Sequence, residues 1–513
     1  MFNKGLYLKN IIFNWGAFLV AIGIGFFLSP VIVKQLGDGR YGLWSLVVTF
    51  TTYFGYLDLG IQSAVGHYVA RHLSDEDASQ LEAKTNSALS TLSVLGMLAL
   101  LSVFVASLFF SRFFHVQADA VSGVRVSLVL MGSVMALRLP LSVFSAVLAG
   151  AQRFDIISGI SLSVKLLNAA LVVLVLKTHH GLMGFAIVVS STQLLENLAL
   201  AYAARKIVPG IRFRPFAFQR RAFVELFHYG IFNFLINLFG QGCAVFGTFL
   251  IGHKVAAEAV TFFSIGSELM PYMGGLVSAV SIPLLQIVIP MDVHSDLAAM
   301  RELLLTGTRY LFALVCLIGL NLVVVGPDFL AQWMGAKYLD PRPYGSSGTV
   351  LILLTLANVA ALSSAVAQQI LFGRRKNKLF AAFTVVETIS TIILALLLVP
   401  RWGILGVAVA SLVPMAVCEG IIIPALTAAQ VGSNLLRYFR AGILPNLMVA
   451  VPVFLASKAL MPYIPGWGWG KIFLSFTLVS VMHLSASAFF LIDGEHRRQF
   501  LSQITSRLAW GKT

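Results

Sequence analysis

Arg138 and Lys165 each stand near the middle of a long apolar run, where no water solvates a cation. An ionisable group at that depth pairs with a counter-charge or belongs to a binding site, because bare charge in hydrocarbon is costly. The guanidinium of Arg138 offers a planar fork of donors to an oxyanion, and the ammonium of Lys165 offers a point charge. Pro140, two residues past Arg138, interrupts its helix and opens space beside it. A second group is Asn233, Asn237 and Gln241, which recur every four residues and so form one stripe on a helix. Amides facing lipid would stay unsatisfied, so the stripe faces protein or a wet cavity. There it either binds hydroxyl groups or holds helices together. A third group is carboxylic. Asp58 shares a helix face with Gln62, and Glu268 shares one with Ser264, so either acid can take a proton or a sodium ion. The plainer alternatives are that Asp58 serves a cation or a helix end, and that Arg138 or Lys165 pairs with Asp58 or Glu196. Arg125, Arg309 and Lys458 fall near the ends of apolar runs and are expected to snorkel to the interface.

Enzymatic chemistry has no such support. The chain has no P-loop, no metal spacing of paired Cys or His and no nucleophile triad, so no cofactor or metal is expected and ATP does not drive it directly. Cys243, Cys316 and Cys418 lie far apart in apolar segments and read as small hydrophobic side chains. His67, His72, His179 and His180 read as ordinary loop residues.

The elements that carry these residues are hydrophobic and long. A membrane helix needs roughly 20 mostly apolar residues, and about fourteen such segments follow one another from Ile11 to Ile492. They include Gly42–Gly66, Gly123–Leu148, Ile157–Lys177, Phe227–Ile251 and Thr261–Ile289. Mean hydropathy is +0.88 and only 11% of residues are charged, well below the usual quarter of a soluble domain. The expected fold is an all-α integral membrane protein, for which transport is the default function.

The formal charge of +15 would suit nucleic acid, but its placement argues otherwise. With the N-terminus cytoplasmic, about 22 of the 36 Lys and Arg fall on the inner side, concentrated in Arg205–Arg221, Arg374–Lys378 and Arg497–Lys512. That is the positive-inside pattern, with both termini cytoplasmic, and it assigns the basic character to topology rather than to nucleic acid. The first apolar run continues to Val33, too long for a cleaved signal. In the tail, Phe500, Ile504 and Leu508 have the spacing of a short amphipathic helix on the inner leaflet. The outer segment Gly326–Ser347 carries Trp333, Tyr338 and Tyr344, which are suited to the interface.

The chain also reads as an internal duplication. Ile12-Phe13-Asn14-Trp15 matches Ile231-Phe232-Asn233-Phe234, Gly181–Ala186 matches Gly403–Ala408, and the turn Gly150–Phe154 resembles Gly373–Lys378. All share an offset of about 220 residues, the length of six crossings. An even number of crossings makes the halves parallel repeats: a lobe over 1–215, a lobe over 216–430, and two extra helices with a basic tail over 431–513.

Asn14-Trp15-Gly16 through Pro30, Leu36-Gly37-Asp38-Gly39-Arg40-Tyr41-Gly42-Leu43-Trp44, Tyr56-Leu57-Asp58-Leu59-Gly60 and Gly150-Ala151-Gln152-Arg153-Phe154 resemble polysaccharide repeat-unit flippases. Those proteins export O-antigen and exopolysaccharide units and belong to the multidrug/oligosaccharidyl-lipid/polysaccharide exporter superfamily. The likeness is strongest over the first 160 or so positions, and Ile251–Thr261 does not repeat the Tyr-Gly-Leu-Trp pattern. The resemblance implies movement of a polyprenyl-diphosphate-linked oligosaccharide across the bacterial cytoplasmic membrane. It places the headgroup in a central cavity, with alternating rocking of two lobes, and admits the polysaccharide polymerase machinery as a partner. On this reading Arg138 and Lys165 contact diphosphate. Asn14, Asn233, Asn237 and Gln241 bind sugar hydroxyls, and Asp58 and Glu268 couple ions. A drug antiporter of the same superfamily would rely chiefly on carboxylates. A glycan polymerase would need a larger outer loop than Gly326–Ser347.

Overall fold

In hydrocarbon every backbone N–H and C=O must be satisfied within its own segment, so apolar runs of this length can only be helices. A computed structural model bears this out: the described residues form helices joined by short turns, with no strand among them. The structure describes residues 4–75, 78–178, 181–208, 213–214, 217–466 and 468–491. His179, His180 and the tail from Asp493 lie outside the described residues. So does the side chain of Asn14, although its backbone is helical.

Among the described residues, eleven helices are long and apolar enough to cross a membrane, or thirteen if each of two bent pairs is one span. The first of these holds a further division. Helix α1, Lys4–Phe54, would be about 75 Å long if straight, over twice the hydrocarbon thickness. It breaks at Gly37, whose φ of 76° and ψ of 164° are outside any helical region and suit only glycine. Its second half is followed, after a non-helical stretch, by α2 (Ile61–Asp75). After it come α3 (Ala78–Phe113), α4 (Val121–Gly150), α5 (Phe154–Lys177), α6 (Gly181–Ile207) and α7 (Arg220–Lys254). The eighth segment is broken, not continuous as Thr261–Ile289 suggested. Helices α8 (Ala257–Ser267) and α9 (Met270–Ser281) are bent by 40° from α10 (Leu284–Val293), where Pro283 interrupts the chain. The pair Ser347–Leu362 and Ala365–Gly373 is bent likewise.

The chain divides into two compact units, Met1–Ser264 with Thr384–Ile404, and Ile265–Phe383 with Leu405–Thr513. These spatial units are drawn along other lines than the six-helix sequence repeats. In the first, Leu92, Leu139, Val143, Val147 and Leu148 are buried at the meeting of α2, α3, α4 and α6. In the second, side-chain bonds tie the last two helices to the span Leu297–Val324. Asn446 Nδ2 donates to Arg309 O at 2.9 Å, Asn321 Nδ2 donates to Ser480 Oγ at 3.1 Å, and His483 Nε2 lies 3.1 Å from Ala313 O. Such bonds hold membrane helices together where no hydrophobic force separates helix from lipid.

The paired turns of the sequence share one backbone pattern. Gln152 and Arg375 have φ of 56° and 57°, uncommon for residues with a side chain. The next amides, Arg153 N–H and Lys376 N–H, donate to Leu148 O and Leu371 O at 3.0 and 2.9 Å. Gly181 and Gly403, which precede matching helices, have φ of 56° and 53°. Duplication of an ancestral segment would leave such pairs at an offset of about 220 residues.

Three of the residues expected at the interface are held by the protein itself. Trp333 and Tyr338 are only 7% and 1% exposed, because the outer segment folds as a helix over Gly326–Trp333 and a turn over Ala336–Leu339 that enclose them. Arg309 does not snorkel freely: its Nε donates to Ala441 O at 3.0 Å. His67 and His72 also depart from expectation, since they lie on α2 and not in a loop.

Candidate functional site

The motif Leu36–Trp44 is a junction. Gly37 turns the chain, and Asp38 O then accepts from Thr261 Oγ1 of α8 at 2.6 Å. A Cβ on Gly42 would sit 1.8 Å from Ala257 O, so the start of α8 lies directly on the glycine backbone. Trp44 is buried against Phe185 of α6, with ring centroids 4.4 Å apart. The motif therefore fixes where the second half of α1 begins, which places the residues further along it.

Asp58 stands at the break between that half and α2. Leu59 and Gly60 both have positive φ, which breaks the helical path before α2, and Asp58 Oδ1 accepts from Gly60 N–H at 3.0 Å. Asp58 thus caps the turn that leads into α2, satisfying a backbone donor that would otherwise be left without a partner. A Cβ on Gly60 would meet Gly230 O of α7 at 2.2 Å, so the two backbones touch. Beyond the cap, Gln62 Nε2 donates to Ser145 Oγ of α4 at 3.1 Å. Arg138 lies on α4 seven residues before Ser145, within electrostatic reach of Asp58, with Nη1 4.0 Å from Met135 Sδ and the side chain exposed. Asp58 lies in the non-helical stretch before α2, so it does not share a helix face with Gln62 as the spacing suggested, and Gln62 alone bonds to α4. Arg138 acts on Asp58 at longer electrostatic range and not as an ion-pair partner among the described residues.

Lys165 sits on α5 between two polar contacts to α6. Ser161 Oγ donates to Glu196 Oε1, and Asn168 Nδ2 donates to Thr192 Oγ1 at 2.7 Å. Lys165 is four residues after Ser161 and three before Asn168, so it shares their side of the helix, and it is exposed. Glu196 is thereby partnered by a hydroxyl. Gln193 Oε1, next to Thr192, is buried with no donor among the described residues. Sequence reasoning named Lys165 and Glu196 but missed this seam. Its signal was present in Ser161, Lys165 and Asn168 on α5 and Thr192 and Glu196 on α6, both at helical spacing.

Helix α7 has two sides. Ala222, Leu226, Gly230 and Phe234 are buried at four-residue intervals. Tyr53 Oη donates to Leu238 O at 3.4 Å, and Thr388 Oγ1 donates to Phe239 O at 2.8 Å. These contacts hold the helix within the first compact unit. Asn237 and Gln241 are exposed and Asn233 is half-buried, and none of the three hydrogen-bonds another described residue. The amides are therefore not spent on interhelical bonds in this unit. They stand open, as a surface that recognises hydroxyls would.

Glu268 belongs to the second compact unit, at the break between α8 and α9, near Tyr272. In that unit Gln368 Nε2 reaches both Ser364 Oγ at 2.9 Å and Glu419 Oε2 at 3.5 Å. Among the described residues no three His, Cys, Asp or Glu converge to hold a metal ion.

Known proteins resemble this chain in sequence and in fold. A family model described as polysaccharide biosynthesis protein matches residues 7–291, just over half the chain. The uncharacterized membrane protein EpsK of Bacillus subtilis is 22% identical over 503 residues, covering 95% of this chain and 96% of its own. A Shigella flexneri protein provisionally named an O-antigen transporter is 21% identical, covering 78% of this chain and 93% of its own. Among solved structures, the lipid II flippase MurJ in an inward closed conformation superposes with a TM-score of 0.70 at 13% identity, over 94% of this chain and 98% of that one. A multidrug resistance MATE transporter of the MOP superfamily, facing inward, does so with a TM-score of 0.67 at 13% identity, over 79% and 94%.

Proposed function

The chain belongs to the polysaccharide biosynthesis protein family, and on that premise we propose that it carries polyprenyl-diphosphate-linked oligosaccharide units from the inner to the outer leaflet of the bacterial cytoplasmic membrane. Its fold is that of exporter-superfamily transporters, not of an enzyme. The physical task is to take a hydrated, anionic headgroup through hydrocarbon, where desolvation alone would forbid passage. The open amide stripe of Asn233, Asn237 and Gln241 carries this reading, because amides at membrane depth without protein partners call for a polar cargo or water. Arg138 and Lys165, exposed cations of the same compact unit, take the diphosphate, one as a fork and one as a point charge. Asn14 joins the sugar contacts, and Asp58 and Glu268 couple the cycle to an ion. Alternating access exposes the headgroup to one side and then the other while the polyprenyl tail stays in lipid. Both termini face the cytoplasm, and the polymerase machinery receives the translocated unit.

The test is made in cells. In a strain lacking this protein, complete lipid-linked units accumulate out of reach of an impermeant label applied to the outer face of the membrane, and restoring the gene exposes them. Full labelling without the protein, in a strain with no second flippase, rejects the reading and promotes export of another solute.

A further inference from the structure

At the far end of the first compact unit, the turn after Gly37, the α3–α4 turn and the α7–α8 turn enclose a cavity of about 270 Å³. Helix α7 is about 52 Å long and separates it from the basic segment Arg205–Arg221. By the positive-inside rule the cavity therefore opens on the outer side. None of the residues assigned above to headgroup or ion lines it. Its polar lining is Arg40, His115, Gln117, Asp119, His253 and Glu258.

The geometry points to a subsite for one neutral sugar ring at the outer face; this inference rests on the flippase reading. Size is the first reason. Sites for drug-sized ligands start at about 300 Å³, so this cavity suits a single ring and not an oligosaccharide. Chemistry is the second. The lining mixes acceptors, the Asp119 and Glu258 carboxylates, with the guanidinium donors of Arg40, and Gln117 supplies both. Hydroxyls are served by such a mixture. A phosphate is not, because two carboxylates stand against one guanidinium, and Arg40 Nη2 already lies 4.0 Å from Asp119 Oδ2. Shape is the third. His253 stacks on Phe113 with ring centroids 4.3 Å apart and 15° between planes, and His115 lies beside it at 5.8 Å and 26°. Of these rings His115 and His253 line the cavity, so an imidazole is available to lie against the C–H face of a pyranose. His253 Nδ1 lies 2.8 Å from Phe113 O, so Nδ1 carries a proton and donates there, which leaves Nε2 to serve a hydroxyl. In the transport cycle the subsite would hold a sugar of the cargo as the headgroup leaves.

The test uses full-length protein in lipid nanodiscs with free glucose, galactose and N-acetylglucosamine, read by saturation-transfer-difference NMR. At least one sugar is expected to receive transfer from the wild type. Transfer should fall about ten-fold in Asp119→Asn and in Glu258→Gln, each of which keeps side-chain volume, with thermal unfolding unchanged. No transfer to any of the three sugars overturns the subsite, as does transfer that survives both substitutions. Inorganic pyrophosphate bound by the wild type and lost in Arg40→Ala also overturns it, since the cavity would then be an anion site. A preparation that moves lipid-linked units but contacts no sugar removes the subsite alone. One that contacts sugar, loses it in both variants and moves no lipid-linked unit supports the subsite and removes the flippase reading.

Discussion

Arg138 and Arg125 lie on the same helix and are both exposed, but Arg125 is in the second turn of that helix and Arg138 is past its middle, within electrostatic range of Asp58. If Arg138 grips the diphosphate, Arg138→Ala should slow appearance of lipid-linked units at the outer face by about ten- to a hundred-fold, the worth of one charge-assisted contact. Arg125→Ala at equal expression should leave the rate unchanged, and equal rates for the two variants would take Arg138 out of the site. Asp58 calls for a different substitution, because its carboxylate caps the turn that leads into α2. Asparagine caps such a turn as aspartate does, so Asp58→Asn should unfold at the wild-type temperature while losing the dependence of transport on an ion gradient. Retained ion dependence would leave Asp58 as a cap only. The types and depths of these residues were legible in the sequence. Their partners were not: nothing in the spacing says that Gln62 meets Ser145 or that Ser161 meets Glu196, since those contacts depend on which helix faces meet.

At the scale of elements, the family motifs act as joints. Gly60 and Gly230 touch backbone to backbone, with a Cβ on Gly230 falling 2.5 Å from Gly60 O. No rotamer relieves such a clash, so Gly230→Ala should cost about 1–3 kcal/mol of overpacking and lower the unfolding temperature of the purified protein. Gly123→Ala, where a new Cβ meets nothing within 4 Å, serves as the control. An unchanged unfolding temperature for Gly230→Ala would mean that α2 and α7 are free to separate. The existence and order of the helices could be read from hydropathy, because length and apolarity are local properties. The breaks at residues 55–60 and at Pro283 could not, since hydropathy is blind to φ and ψ and the apolar run continues through both. Trp333 and Tyr338 were misplaced for a related reason: composition suits them to the interface, but the segment folds back and buries them.

The whole molecule is a member of the polysaccharide biosynthesis protein family with an exporter-superfamily fold. Paired turns about 220 residues apart repeat their backbone angles, as a duplication of the chain would predict. The sequence could not name the sugar, and the amide stripe explains why: Asn and Gln accept and donate alike, so they recognise hydroxyls without fixing which sugar bears them. The central claim is that this chain alone moves the lipid-linked headgroup. Purified protein would be reconstituted into sealed vesicles containing fluorescent polyprenyl-diphosphate-linked oligosaccharide in both leaflets, and an impermeant quencher added outside. Empty vesicles should lose about half the signal, the outer-leaflet share, because an anionic headgroup does not cross unaided. Vesicles with the protein should lose nearly all of it, and those with Arg138→Ala should do so slowly. Quenching that stops at one half in vesicles holding folded protein, with any ion gradient supplied, would contradict the account.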